Sequence, residues 1–230
     1  MTLELTLRDR ALLKGEEGPA AKMAMSVLVR MAKVQDASRM IPITAAHIDS
    51  TIYLGDATLE YAERLANLGA KVAVPTTLNV AGVDQHGWKQ WDVSRDWAEK
   101  AGRQMSAYQG MGCSPSWTCA PYQTEARPAF GEQIAWGESS AVVFANSVLG
   151  ARTERYPDLL DICAAITGRV PDVGLHRTEN RIGQILVRVT GLPSALLASD
   201  ELYPVLGHLS GKLAGDQVVV LDGLETEPTE

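Results

Sequence analysis

The sequence predicts an α/β fold in which parallel-sheet layers are covered by helices. A strand is expected over residues 40–48, a helix over residues 55–69 and a short β-branched strand over residues 71–74. Because a strand, a helix and a strand in succession form a βαβ unit, this order favours a parallel sheet with helices on its faces. The chain has 230 residues, which is long enough to bury a substantial core.

Two helices are expected before this unit. Thr6 followed by Asp9 resembles a capping arrangement and predicts a short helix that ends near Gly15. Residues 19–35 are rich in Ala, Met and Leu and predict a second helix. Within the unit itself, Gly69 is expected to end the helix, because glycine readily adopts the left-handed conformation that follows many helices.

Further elements are expected after the unit. The nearly uncharged stretch 137–149 predicts a buried element, which is either a helix or a long strand followed by a turn. Helices are predicted over residues 95–111, over 156–167 with Pro157 in the first turn, and over 200–213, and strands over 181–190 and, buried, over 217–221. The acidic tail 225–230 is expected to be frayed.

Composition excludes several classes of protein. A net charge of −7 argues against a surface for nucleic acid or anionic membranes, which would need clustered Lys and Arg. No apolar run approaches the length needed to span a bilayer, and the first residues carry charge where a signal peptide would be apolar. Three cysteines do not form a disulfide framework in a chain of this size. We therefore expect a cytoplasmic protein with reduced thiols.

Polar residues cluster directly after two predicted strands. Ligands bind beyond the carboxyl ends of strands in open α/β sheets, so these side chains could hold a small carboxylate or hydroxy compound. The candidates are His47 and Ser50 after the first strand, and Thr76, Thr77 and Asn79 after the second. A structural alternative is that His47 caps a turn.

Two further clusters lie at residues 117–122 and 136–152. The first places Cys119 between a hydroxyl and a proline in a loop, and the second places Glu138, Ser139, Ser140, Asn146 and Arg152 in an otherwise apolar run. Burying such groups costs free energy unless they are paired or used. Packing alternatives stand beside each: a cysteine is commonly an inert small hydrophobe, small serines allow close packing, and Arg152 could neutralise a nearby surface carboxylate. Cys113 lies six residues before Cys119, too far for a CxxC pair, and Cys163 is expected in the core.

These segments resemble the aconitase X family, specifically its large subunit or large domain. The central match comprises residues 119–122 (CAPY), 131–143 (GEQIAWGESSAVV) and 145–153 (ANSVLGART). Supporting matches are 13–18 (LKGEEG), 46–47 (AH), 74–79 (VPTTLN), 174–176 (GLH) and 179–181 (ENR), all in the family's order.

The resemblance implies an aconitase-superfamily-like fold and a dehydratase, or hydro-lyase, with an iron–sulfur cluster. It implies a hydroxy-carboxylate substrate: the bacterial branch converts cis-3-hydroxy-L-proline to Δ1-pyrroline-2-carboxylate, and the archaeal branch dehydrates mevalonate 5-phosphate. The stretch 112–119 is more similar to the bacterial branch. An iron with an open position would act as a Lewis acid on the leaving hydroxyl.

The resemblance also assigns roles. Cys119 would be a cluster ligand, with Cys113 a second metal candidate; Ser139, Ser140, Glu138 and His47 would be catalytic; Ser50, Thr76, Thr77, Asn79, Asn146 and Arg152 would bind substrate. Residues 1–181 would form the N-terminal catalytic region, and 182–230 the start of a following, incomplete α/β region. The family's large chain continues beyond this point, with further cysteine ligands, and pairs with a small subunit.

Three alternatives remain open at this level. Mevalonate 5-phosphate should require several cations near the strand ends, where the sequence offers chiefly Arg152, so the amino-acid substrate is favoured. A non-catalytic scaffold that needs a partner chain would expose an apolar face. A metal hydrolase is disfavoured, because no histidine pair has HxxxH spacing.

Overall fold

The computed structural model describes residues 3–224. The chain divides into two compact units, one up to His176 and one from Arg177. This boundary falls five residues before the one predicted at 181/182, and the catalytic role of the first region stays a prediction. Within the described residues, no helix combines the length and the apolar character needed to cross a bilayer.

Helices and short strands alternate along the chain. The α-helices are α1 (Leu7–Lys14), α2 (Pro19–Val34), α3 (Asp56–Asn67), α4 (Arg95–Gly110), α5 (Ser139–Phe144), α6 (Leu160–Thr167), α7 (Ser194–Leu197) and α8 (Leu202–Ala214). The strands are β1 (Met40–Pro42), β2 (Ala46–Ile48), β3 (Thr76–Leu78), β4 (Ala135–Trp136), β5 (Arg169–Pro171), β6 (Ile185–Arg188) and β7 (Val219–Asp222). Single 3-10 turns lie at Trp88–Trp91, Pro121–Gln123, Gly174–His176 and Thr178–Arg181, and α5 continues into a π-helical turn at Ala145–Leu149.

A three-stranded parallel sheet of order β3-β2-β4 organises the first unit. In its register Ala46 pairs with Thr76 and also with Ala135. The link from β2 to β3 runs through α3, which confirms the predicted βαβ unit and the α/β class. The other pairs are β1 with β5, antiparallel, and β6 with β7, parallel and within the second unit.

The core of the first unit lies between α2, α6 and the sheet. Leu28, Ile48 and Ile162 are fully buried there. The predicted capping of α1 is confirmed: the Thr6 side chain accepts from the Asp9 amide while Asp9 accepts from the Thr6 amide. Asp9 also forms a buried ion pair with Arg169, with Oδ1 2.9 Å from Nε.

Several predicted boundaries are wrong. Residues 71–74 form no strand, because the amides of Val72 and Ala73 donate to carbonyls of Met111 and Ala165 instead of to a strand ladder. The pairing strand β3 begins at Thr76, after Pro75. Likewise residues 40–48 form two strands in two different sheets, since the chain turns after β1.

The helix predicted over 156–167 begins only at Leu160. Leu159 before it adopts φ 72°, which is incompatible with a helix, so Pro157 lies outside the first turn. The stretch 137–149 is helical, as one of its two alternatives predicted, but Val143 is 63% exposed. Strand β7 is largely exposed rather than buried. The tail 225–230 lies outside the described residues.

Candidate active site

The parallel sheet brings polar side chains to one edge. Strands β2, β3 and β4 run parallel, so their carboxyl ends face the same way. Asp49 follows β2 directly, Asn79 follows β3, and Glu138 follows β4 after Gly137. Asp49, which is 30 positions before Asn79, and Glu138, which is 59 positions after it, therefore both lie within hydrogen-bonding distance of Asn79.

Asn79 joins two carboxylates. Its buried side-chain amide Nδ2 donates to Oε2 of Glu138 at 3.0 Å and also to Oδ1 of Asp49. The other end of the amide, Oδ1, accepts from the Val80 amide at 2.8 Å, which fixes the orientation of the Asn79 side chain. The result is a cluster of Asp49, Asn79 and Glu138, which we call the carboxylate cluster.

Asp49 lies in an environment that favours its protonated form. Desolvation raises the pKa of Asp49 above its ordinary value, the hydrogen bond from Asn79 lowers it, and the negative charge of Glu138 raises it again. Two neighbouring carboxylates do not both ionise freely, so Asp49 retains a proton more readily than an isolated aspartate does. Asp49 was not among the predicted site residues, although its place directly after a strand was a usable signal.

His47 lies on β2 and is fully buried. Its Nδ1 is 2.8 Å from Oγ1 of Thr77 on the neighbouring strand, and its ring packs edge-on to Trp136. Desolvation lowers the pKa of His47 to about 4, opposed by the charge of Glu138 and by the Thr118 backbone. The imidazole is therefore neutral near pH 7, and among the described residues its Nε2 has no hydrogen-bond partner.

Cys119 is exposed on the loop that follows α4. The Ser140 hydroxyl lies 3.5 Å from both the Cys119 carbonyl oxygen and Oε1 of Glu138, and Glu138 also caps α5 by accepting from the Ser140 amide. Desolvation raises the pKa of Cys119, and the charge of Glu138 raises it further. The loop thus lies beside the carboxylate cluster, with Ser139 and Ser140 exposed on the first turn of α5.

This chain matches the family described as aconitase X first domain over residues 2–179. The chain belongs to the aconitase X family. The resemblance expected from the sequence is thereby confirmed. The crystal structure of Thermococcus kodakaraensis aconitase X in its holo-form superposes with a TM-score of 0.83 at 38% identity, over 97% of this chain and 55% of that one.

Relatives within aconitase X carry two names. The chain is 50% identical over 216 residues to the cis-3-hydroxy-L-proline dehydratase of Pseudomonas aeruginosa, covering 94% of this chain and 37% of the relative. It is 45% identical to the Hypocrea jecorina protein of that name, covering 98% of this chain and 38% of the relative. The phosphomevalonate dehydratase large subunit of Thermococcus kodakarensis is 40% identical, with coverage of 98% and 56%. The chain thus spans well under two thirds of these relatives.

The thiols of this aconitase X chain fit an iron–sulfur cluster only in part. Cys119 is exposed, whereas Cys113 and Cys163 are buried in the main core, and burial raises the pKa of each to about 12. Within residues 3–224, no three His, Cys, Asp or Glu side chains are grouped so that they could hold a metal ion. The described residues offer one accessible thiol, that of Cys119, and do not by themselves hold a cluster. Metal ligation by Cys113 is a prediction that these contacts do not support.

Two predicted substrate residues face inward. The Ser50 hydroxyl is buried, donates to Oδ1 of Asp161 at 2.7 Å and accepts from the Tyr108 hydroxyl at 3.2 Å. The Thr76 hydroxyl, also buried, donates to the Val74 carbonyl oxygen at 2.8 Å. Both side chains are engaged with the protein itself, so the structure brings neither hydroxyl to the carboxylate cluster.

Two others hold the segment after α5. The Asn146 amide donates to the carbonyl oxygens of Val142 and Thr153, each at 2.9 Å. Arg152 donates through Nη1 to the His176 carbonyl oxygen at 3.0 Å. These bonds tie the π-helical turn to the chain that follows it, which is a framework role.

A cavity of about 510 Å³, the size of a small-ligand pocket, is lined by residues that neighbour site residues in the sequence. It is lined by Val80, Ala81, Gly82, Val83, Asp84, Gln85, His86 and Trp117. Val80 follows Asn79 directly, and Trp117 lies two residues before Cys119. None of the loop 80–86 was predicted as part of a site; its glycine and its lack of periodicity were the available signals.

Proposed function

We propose that this chain carries part of the active site of a hydro-lyase that dehydrates cis-3-hydroxy-L-proline to Δ1-pyrroline-2-carboxylate. The carboxylate cluster supports this function, because Asn79 joins Asp49 and Glu138 beside the exposed Cys119 loop. Support for the substrate comes from two relatives of that name at 50% and 45% identity. The rest of the site would come from outside this sequence.

In the proposed reaction, Glu138 accepts the proton from the carbon next to the substrate carboxylate. The electron pair of that C–H bond forms the new double bond, and the C–O bond to the hydroxyl breaks. Asp49, which retains a proton more readily, donates it to the leaving hydroxyl, which departs as water. The resulting enamine becomes the Δ1 imine by moving one proton from nitrogen to carbon. A dehydration removes one proton and supplies another, so a carboxylate that accepts a proton beside a carboxyl group that donates one suits this division of roles.

The remaining side chains would orient the substrate. Ser139 and Ser140 lie exposed on α5, and the Ser140 hydroxyl is 3.5 Å from the Cys119 carbonyl oxygen. Their hydroxyls would bind the substrate carboxylate or ring nitrogen. Neutral His47, held by Thr77, would present Nε2 as a hydrogen-bonding group. Ser50, Thr76, Asn146 and Arg152 would shape the frame rather than contact the substrate.

Cys119 is proposed as one ligand of an iron–sulfur cluster whose other thiolates lie outside this sequence. When bound, such a cluster supplies a Lewis acid for the leaving hydroxyl. A small subunit is a further proposed partner, since the archaeal relatives are named as large subunits. With three free cysteines, we place the protein in the cytoplasm. Residues 1–181 are proposed as the catalytic region.

The alternative substrate is mevalonate 5-phosphate, for which the archaeal relatives are named. A phosphate group calls for Lys or Arg. Among the described residues, neither donates a hydrogen bond to Asp49, Asn79 or Glu138, and Arg152 is directed to the His176 carbonyl oxygen. This favours the amino-acid substrate.

The test is an assay of the complete reading frame with any small subunit encoded beside it. After anaerobic reconstitution with iron and sulfide, loss of cis-3-hydroxy-L-proline and of mevalonate 5-phosphate is measured in parallel. We expect turnover of the first, together with charge-transfer absorption that Cys119→Ser removes. Turnover of the second alone would favour the alternative. No turnover of either, without absorption, would favour a scaffold role, and absorption unchanged in Cys119→Ser would refute the ligand assignment.

A further inference from the structure

Asp161 is a fully buried carboxylate at the start of α6. Its Oδ2 accepts from the backbone amides of Asp49 at 2.8 Å and Ser50 at 3.0 Å. Its Oδ1 accepts from the Ser50 hydroxyl at 2.7 Å and from the Ile162 amide at 2.7 Å. Three of the four donors belong to the chain just after β2, which is the segment that carries Asp49 into the carboxylate cluster.

The charge of Asp161 is balanced by these donors alone. Among the described residues, no Lys, Arg or His forms an ion pair with it. An unpaired buried carboxylate is costly to the fold, so a core that only needed packing would be better served by an apolar side chain. The hydrogen bonds instead fix two consecutive amides of the segment after β2, which sets the direction in which the Asp49 side chain leaves the backbone.

Gly137, directly after β4, packs against Asp49 and Asp161. A Cβ atom at Gly137 would lie 3.0 Å from Cβ of Asp49 and 3.6 Å from Oδ2 of Asp161. The absence of a side chain therefore allows the segment after β4 to approach the segment after β2. That approach brings Glu138, the next residue, within reach of Asn79.

We infer that Asp161 is a positioning residue of this active site: it holds the amides of Asp49 and Ser50 so that the Asp49 carboxylate meets Asn79 and Glu138. The inference rests on the proposed function for its catalytic meaning, and on the hydrogen bonds for its geometry. Asp161 itself touches no substrate in this scheme, since it is enclosed by the segment it holds.

The test compares Asp161→Asn with Asp9→Asn in the full 230-residue chain. Asp9 is a matched control, because it is also a fully buried aspartate, paired with Arg169 and the Thr6 amide. The readout is the rate at which iodoacetamide alkylates Cys119, whose thiol lies in the field of Glu138 and Asp49. We expect about a threefold or greater rise for Asp161→Asn and none for Asp9→Asn, because thiol reactivity follows local charge and access. Unfolding curves show whether the two variants lose similar stability.

Gly137→Ala provides a second variant that keeps every Asp161 hydrogen-bonding group. Gly102→Ala on α4 is its control, since a Cβ there meets nothing within 4 Å. We expect Gly137→Ala alone to raise the alkylation rate. The inference is overturned if Asp161→Asn behaves like Asp9→Asn, or, should Asp161→Asn fail to fold, if Gly137→Ala behaves like Gly102→Ala.

A further readout uses the complete, reconstituted enzyme. There Asp161→Asn should lower kcat about tenfold or more by misplacing Asp49, with Asp9→Asn close to wild type. Equal kcat values for the two variants would remove the catalytic meaning of Asp161. If the enzyme dehydrates neither substrate but the alkylation contrast persists, the positioning stands and the proposed function fails.

Discussion

His47 Nδ1 lies 2.8 Å from Oγ1 of Thr77 on the neighbouring parallel strand, and the His47 side chain is fully buried. This contact orients the imidazole while desolvation lowers its pKa to about 4. A histidine that is neutral in the folded protein but protonated in the unfolded chain makes stability depend on pH.

Replacing His47 with Gln should therefore make the free energy of unfolding fall less steeply as the pH is lowered. The folded pKa of about 4 is below the ordinary 6.5, so the unfolded chain binds a proton first and wild-type stability falls as pH drops through this window. The difference, 6.5 − 4, corresponds to at most about 3 kcal/mol. Urea unfolding across the window measures it, with exposed His86→Gln as the control. A fall as steep in His47→Gln as in the control would contradict the buried neutral state.

Asp161 should make the free energy of unfolding depend on pH in the opposite direction to His47. Desolvation raises the pKa of Asp161 from 3.8 to about 6, so the folded protein keeps its proton at a higher pH than the unfolded chain does. The contribution of Asp161 to stability therefore grows as pH falls from about 6 toward 3.8, by at most about 3 kcal/mol. The gap in unfolding free energy between wild type and Asp161→Asn should widen on acidification. A gap that narrows would show that the carboxylate is ionised and satisfied throughout.

Alkylation should select one cysteine of three. Iodoacetamide is expected to modify Cys119 in the folded chain and to spare Cys113 and Cys163, which are buried and whose pKa values are raised to about 12. Glu138→Gln should speed the reaction near neutral pH, because the Glu138 charge helps to raise the Cys119 pKa. Mass spectrometry of the peptides gives the rates, and exposed Glu125→Gln is the control. Equal alkylation rates in Glu138→Gln and Glu125→Gln would show that the charge of Glu138 does not affect the reactivity of Cys119.

The ion pair between Arg169 and Asp9 should be a major contributor to stability. The Arg169 side chain is 12% exposed and that of Asp9 1%, so Arg169→Met leaves a buried charge unpaired and should cost about 3–5 kcal/mol. Arg39→Met is the comparison, since Arg39 is 64% exposed beside Asp172 and should cost about 1 kcal/mol or less. Chemical unfolding at constant pH distinguishes the two. Similar losses would mean that burial does not govern these pairs.

Local signals predicted much of the fold. Thr6 with Asp9 defines its own cap within four residues, and the βαβ order follows from strand and helix patterns that lie next to each other. The predicted element boundaries were wrong where hydrogen bonds to residues far away in the sequence determine the structure. Residues 71–74 have the composition of a strand, yet their amides bond to Met111 and Ala165, which no local pattern encodes.

The candidate site was predicted only where it coincides with a motif or a strand end. Glu138, Asn79 and Cys119 were found in this way, but the amide that joins Glu138 to Asp49 spans segments far apart in sequence. Asp161 was missed because it lies in a predicted helix. A charged residue inside the apolar run 159–166 was the signal that could have found it.

If the carboxylate cluster and Cys119 form one dehydratase site, Glu138→Gln in the complete, reconstituted enzyme should abolish most of the activity. The variant keeps the size of the side chain and a hydrogen-bond acceptor for Asn79 but removes the proposed base. Steady-state dehydration of cis-3-hydroxy-L-proline should fall about 100-fold or more while the absorption of the cluster is retained. A kcat within about threefold of that of Glu125→Gln, with the same absorption, would contradict the assignment of the site.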